Sequence, residues 1–349
     1  MWAVDVPMMF SSRIGVEHVS IHDSRWQAFV AQSEPSLFNH PRWGSVIERT
    51  YGFPAAVALA IRDGEVLGGL PYAEIRDFRG VRRICFAFAD VCEPLGAPVW
   101  PALEEGMSLA GIPWHIRSRL ADYSLASSVR EVAVHQSIAL PRSLEEAHAK
   151  CDPKQRYAVR QAEKAGLTYR RIEDASAIDI FYELHSRVRK EKHHLLSQPR
   201  AFFEELVAEY FPQDGFVLVA ELEHRPLAAM FFLRCGKTLY YKFSASDLQA
   251  LDYRPNHFLL WKAVEEALAA GYESIDLGIS EAESLIRFKR RLGARSVPVY
   301  AAKYFEVEKA NAVAAMDQTL GRLTAVLTGD EVPLAAAQAA GELLYRFFV

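Results

Sequence analysis

Two stretches of this chain carry the same pattern of helix, strand, turn, strand and turn, and that repeat limits the fold more than any other feature. In the first stretch Trp43, Val46, Ile47 and Tyr51 recur at helical spacing after Pro41. Strands are expected at Val57–Ile61, Val66–Ile75 and Val81–Ala89, with a turn at Arg62-Asp63-Gly64-Glu65. At one constant offset the four helix residues fall on Phe203, Leu206, Val207 and Phe211. VALAIRDGEVLGGLPY then falls without a gap on VLVAELEHRPLAAMFF, so the turn meets Leu222-Glu223-His224-Arg225. A third strand follows in the second copy at Thr238–Ser244. The period is far too long for a solenoid. Two similar domains of α/β (α+β) class in tandem are expected, with mixed central sheets flanked by helices.

The strand-like run VREVAVHQSIAL and the serine-capped helix after it put the boundary near Leu140–Pro141. The expected division is 1–140, 141–305 and a helical tail at 306–349, with amphipathic helices at Ala310–Leu327 and Pro333–Phe348. The tail ends in Leu343, Leu344, Phe347 and Phe348, which suit packing on the body or peripheral contact with a partner or the inner membrane face.

A length of 349 residues allows two cores, and a composition half hydrophobic and a quarter charged is that of ordinary soluble proteins. The net charge of −4 argues against DNA as a partner. Cys85, Cys92, Cys151 and Cys235 form no CxxC pair, so neither zinc nor a disulfide framework is expected, and a cytoplasmic location is. His18 and His22 lie on a strand-like segment and suggest no metal site. The start, MWAVDVPMMFSSRIG, lacks the order of a signal sequence, and no apolar run is long enough for a transmembrane helix.

The segment Tyr253–Gly293 is punctuated clearly: Pro255 opens a helix, Gly271 closes it, a strand Ser274–Leu277 ends at Gly278, and a second helix ends at Gly293. On the wheel of the second helix Leu285, Phe288 and Leu292 share an arc. Lys289 lies on the same arc, and a lysine on a buried face needs a reason. Asp276, at the end of the strand, suits a proton acceptor or a turn residue; Asp90 and Glu93, after the first meander, are weaker candidates of the same kind.

Basic residues collect in Lys150–Arg171, Arg187–Arg200 and Arg287–Arg295. Each run alone reads as a solvated helix face; together they suit an anion such as phosphate or an RNA backbone. Arg156, Arg160, Arg187 and Arg189 are the phosphate-binding candidates, with Arg254 and Asn256 at the helix start. Along LYYKFSAS, Tyr241 is expected to face away from Tyr240 and Phe243, which leaves a tyrosine hydroxyl for a ligand.

In their order, RYAVRQAEKAGL, ELHSRVRKEKHHLLSQPRAFFEEL, LYYKFSAS, RPNHFLLWKAVEEALAAGYESIDLG and RFKRRLG resemble the FemAB family; HPRWGSVIERTYG and FADVCEPLG resemble it more weakly. The resemblance implies two tandem GNAT-like domains with the ligand groove at their junction and in the second. It implies transfer of an aminoacyl or acyl group to an amine of a cell-wall or glycan precursor or a small metabolite. No bound cofactor is implied; the donor is aminoacyl-tRNA, with acyl-CoA as the alternative. The family's active-site lysine falls on Lys289 in the pair Phe288-Lys289, and its paired tyrosines fall on Tyr240 and Tyr241. A buried lysine would stabilise the oxyanion of the transition state. Two features depart from the pattern. No long coiled-coil arm is present, and LDYRPNH lacks the glycines that let backbone N–H groups cradle CoA pyrophosphate. A non-catalytic module binding an anionic glycan precursor would carry much of the same charge.

Overall fold

The computed structural model describes residues 13–96, 98–305 and 311–349; the start of the chain and Ala310, on which expectations also fell, lie outside them. The first copy runs β1 (Gly15–Ser20), α1 (Ser24–Ala31), α2 (Pro41–Tyr51), β2 (Ala55–Arg62), β3 (Glu65–Asp77), β4 (Gly80–Ile84), α3 (Trp100–Leu109), β5 (Trp114–Ser118) and β6 (Ser128–Ala139). Helices α4 (Leu144–Lys150) and α5 (Pro153–Lys164) lead into the second: β7 (Thr168–Ile172), α6 (Ser176–Arg187), α7 (Arg200–Tyr210), β8 (Gly215–Leu222), β9 (Arg225–Cys235), β10 (Thr238–Ser246), α8 (Pro255–Ala269), β11 (Ser274–Ser280), α9 (Glu283–Arg290) and β12 (Arg295–Tyr304). The tail forms α10 (Asn311–Leu327) and α11 (Leu334–Leu344).

The repeat holds to the single residue. Both β2–β3 and β8–β9 close through two-residue loops, Asp63-Gly64 and Glu223-His224, and all four residues have positive φ. That conformation matches the twist of paired strands. Both ladders also slip at equivalent points, Ala60/Ile61 and Ala220/Glu221. The third strands differ. The expected Val81–Ala89 is strand only to Ile84, because β4 pairs with β5 over just Arg83 and Ile84 before the chain turns inward.

The strands form one twelve-stranded sheet in the order β1-β2-β3-β4-β5-β12-β6-β11-β10-β9-β8-β7. Each copy gives its last strand to the other: β6 pairs with β11, and β12 pairs with β5. The boundary expected at 140/141 therefore divides the chain but not the sheet. The matching helices α2 and α7 pack together, with Trp43 edge-on to Phe202 at 6.1 Å and both fully buried. Burying rings of this size contributes on the order of 2 kcal/mol each. At the same contact Arg42 reaches Glu209 and Asp214, and Arg49 reaches Glu205 and Glu209.

One core on this face runs through both copies; a second lies between the other face of the second copy and α8. The tail packs on the body: Tyr345 is buried against Phe88, and Gly341 passes so close to the Ser197 carbonyl that a Cβ there would lie 2.5 Å from it. Leu343 and Phe348 stay exposed. Among the described residues no helix is long and apolar enough to cross a membrane.

Candidate functional site

The central strands open where β10 meets β11. These parallel neighbours pair only over Thr238–Tyr240 and Ser274–Asp276. Beyond that point each bulges against its outer neighbour, β10 between Tyr241 and Phe243 and β11 between Asp276 and Ile279. Gly278 makes the second bulge possible: its φ is +67°, and a Cβ there would sit 3.2 Å from the Asp90 carboxylate.

A cavity of about 570 Å³ lies over the paired ends of these strands. Its floor is Thr238 and Tyr240 of β10, Ser274 and Asp276 of β11, and His135 and Ser137 of β6. Register puts them on one face, since Tyr240 and Ser137 both pair with Asp276. Both oxygens of Asp276 lie 2.9 Å from His135 Nε2, and Gly278 N–H donates to Oδ1 at 2.7 Å. His135 is buried, while the Asp276 side chain keeps 14% of its surface exposed. The Tyr240 hydroxyl accepts from Leu37 N–H at 3.2 Å, and burial pushes it well above the usual phenol range. First-copy residues build the walls. Asn39 donates to the Glu93 carbonyl at 2.6 Å. Arg119 grips the Glu93 carboxylate with Nε at 2.8 Å and Nη2 at 2.6 Å. Burial works to raise Glu93, and the Arg119 hydrogen bonds outweigh it, leaving the carboxyl below its ordinary range.

Close by is a buried cluster of charge. The Lys242 side chain, at the β10 bulge, is 4% exposed; its Nζ lies 3.0 Å from Asp90 Oδ2 and 5.0 Å from the Phe38 ring centre. Lys289 is 2% exposed and donates to the carbonyls of Leu277 at 2.6 Å and Ile279 at 3.1 Å, on either side of Gly278. Burial lowers its ammonium to about 8; Asp90 and Asp276 oppose that fall, and Lys242 adds to it. The buried side of α9 therefore carries Ile286 and Lys289, with buried Leu292 just beyond its end, whereas Leu285 is 39% exposed. The lysine is buried because its ammonium spans the bulge, which sets the rotation of a short helix.

The expected site residues separate into groups. Asp276 and Tyr240 line the cavity; Lys289 does not. Tyr241 packs on Phe232 in the second core, away from the cavity, where burial pushes its hydroxyl up to about 12. Its orientation opposite both Tyr240 and Phe243 depends on the bulge, since strict alternation would put Phe243 with Tyr241. Phe288 packs on His257 at 4.8 Å, and Asn256 donates to Ser246 Oγ at 3.2 Å. Arg254 caps α8 in the left-handed region. Arg156 is spent on the carbonyls of His148 and Cys151, and with Arg160 it lines a separate cavity between α4, α5 and α8. Arg187 pairs with Glu183, and Arg189 donates to the Leu196 carbonyl. The four arginines expected to hold phosphate thus form no single cluster. His18 and His22 also separate, toward Tyr72 and Glu48. His135, Arg119 and Lys242 were not among the expected site residues.

This architecture is that of tandem GNAT-like proteins. Residues 150–290 match the model of the acetyltransferase (GNAT) domain family. No curated protein matches the sequence. Among solved structures the chain is similar to FemX, with 15% identity, a TM-score of 0.62, and 87% of this chain and 99% of that one covered. It is similar also to the C-terminal domain of a putative lysylphosphatidylglycerol synthetase from Agrobacterium fabrum (17%, TM-score 0.54, 85% and 95% covered). A tandem GNAT protein from the clavulanic acid biosynthesis pathway shares the fold at 11% identity and TM-score 0.50, over 84% and 100% of the two chains.

Proposed function

We propose that this protein is an acyltransferase that moves an aminoacyl or acyl group onto an amine bound in the junction cavity. The observation that carries this reading is the Asp276 carboxylate, held by His135 and Gly278 at the cavity floor where β10 and β11 part. The acceptor nitrogen attacks the carbonyl carbon of an ester or thioester, and a C–N bond forms. Asp276 takes the proton that nitrogen loses, while the buried His135 orients the carboxylate. The carbonyl re-forms as the bond to the donor oxygen or sulfur breaks, and the departing group takes the proton that Asp276 accepted. Lys289 works through the backbone: it fixes the bulge that presents Asp276, two of its three donors being spent on carbonyls.

Aminoacyl-tRNA is the donor this reading favours. The start of α8 supports it, since Arg254-Pro255 stands where a CoA pyrophosphate would need convergent N–H groups. The cytoplasm supplies such donors. The test is incubation with aminoacyl-tRNA or acetyl-CoA and a panel of amines, followed by intact-mass analysis. A mass gain on the amine from aminoacyl-tRNA is the expected result. Gain from acetyl-CoA alone reverses the donor assignment, and no gain from any donor removes the transfer reading.

A further inference from the structure

The charges lining the junction cavity are sorted in a way that acyl transfer alone does not require. The lining holds four carboxylates, Glu34, Glu93, Glu273 and Asp276, against two cations, Arg119 and Lys237. Both cations are answered already. Glu93 takes Arg119 in a two-bond fork, and Glu273 takes Lys237. Among the described residues of the lining, no guanidinium or ammonium stands without a carboxylate beside it, whereas a phosphate binds tightly where such a donor is free. Two carboxylates remain. Asp276 hydrogen-bonds to the His135 imidazole and a backbone N–H, with Arg119 and Lys289 within charge range but not bonded to it, and among the described residues Glu34 stands exposed at the rim with Lys237 within charge range but no ion pair.

The neutral part of the lining points the same way. Among the described residues the Ser137 hydroxyl has no hydrogen-bond partner, and the Thr238 and Ser274 hydroxyls, 2.8 Å apart, bond to each other and keep one proton to donate outward. Hydroxyls that both donate and accept suit a ligand that carries hydroxyls itself. The Phe38 and Tyr240 rings add apolar surface. The volume is in the small-molecule range.

We infer that the acceptor is a small hydroxylated primary amine carrying no phosphate, an amino sugar in chemical class. This rests on the transfer reading for the word acceptor, while the ligand class rests on the cavity. The excess of carboxylates over cations draws in the ammonium form of the ligand and repels a phosphate; the ammonium gives up one proton to water before attack, and Asp276 is placed beside the nitrogen for the proton lost on attack.

The experiment is calorimetric titration of the protein, without any donor, with glucosamine and with glucosamine 6-phosphate. Glucosamine is expected to bind, and the phosphate ester at least about tenfold more weakly. Glu34→Gln and Asp276→Asn are each expected to weaken glucosamine binding severalfold. Phosphate ester bound as tightly as glucosamine, no glucosamine binding, or unchanged binding in both variants overturns the inference. Failure of the transfer reading looks different: glucosamine binds, yet no donor acylates it. Acylation of phosphorylated amines only would retire the ligand class and keep the transferase.

Discussion

The two copies part company at one place, and the difference is where the candidate site sits. After the second meander turn the first copy stops early. β4 ends at Ile84, Phe88 takes a φ of +62°, and the chain turns inward to deliver Asp90 and Glu93. The second copy keeps its strand: β10 runs on to Ser246 and bulges to place Lys242 under Asp90. The hairpins before this point match residue for residue, so the scaffold tolerates both versions. One copy supplies carboxylates and Arg119, the other the parted strands, Asp276 and the buried lysines. The site belongs to the pair of copies, and the exchange of β6 and β12 makes them inseparable.

The Lys242–Asp90 contact joins the copies most directly, so breaking it has the largest expected effect. Lys242→Met leaves a carboxylate with its partner gone in a poorly solvated place and is expected to cost about 3 kcal/mol in urea unfolding. Asp90→Asn should cost a similar amount, and the double variant clearly less than the sum. Strict additivity would mean that the contact does not join the copies.

Lys289 sharpens the comparison through pH. Its folded value of about 8 lies below the ordinary 10.5. Between those values the unfolded chain holds the proton and the folded chain has released it. The Lys289 contribution to stability therefore rises with pH across that window, by about 1 kcal/mol per unit. Lys289→Met should flatten the rise, and parallel wild-type and variant curves would show that the lysine is not buried as described. Gly278→Ala places a methyl against the first copy's Asp90 and forces an L residue to φ +67°. A loss of about 2 kcal/mol and most of the turnover is expected; a neutral result would mean that the bulge is not held.

The smallest effect separates the two tyrosines. Tyr240→Phe removes a hydroxyl bonded to Leu37 N–H of the first copy and should cost about 1 kcal/mol and raise KM. Tyr241→Phe, in the second core, should leave KM unchanged. Equal kinetic effects would contradict the assignment of faces.

The repeat, the hairpins and the punctuation by Pro255, Gly271, Gly278 and Gly293 were legible because local chemistry fixes them. Of the site, Asp276, Tyr240 and the oddity of Lys289 were legible. His135 was not: VREVAVHQSIAL reads as a strand, and only its pairing with β11, a contact remote in sequence, sets His135 beside Asp276. Lys242 escaped for a related reason, since strict alternation along YYKFS hides a bulge that no residue there announces. The arginine runs form no single cluster, and sequence shows charge but not the carbonyls and carboxylates beside it, as for Arg156 and Arg187.

Turnover of Asp276→Asn, measured with the donor and amine that give product, tests the account most directly. The account predicts a fall in kcat of about a hundredfold or more with the fold intact by circular dichroism. Turnover within a few fold of the parent would contradict it and move the proton acceptor elsewhere.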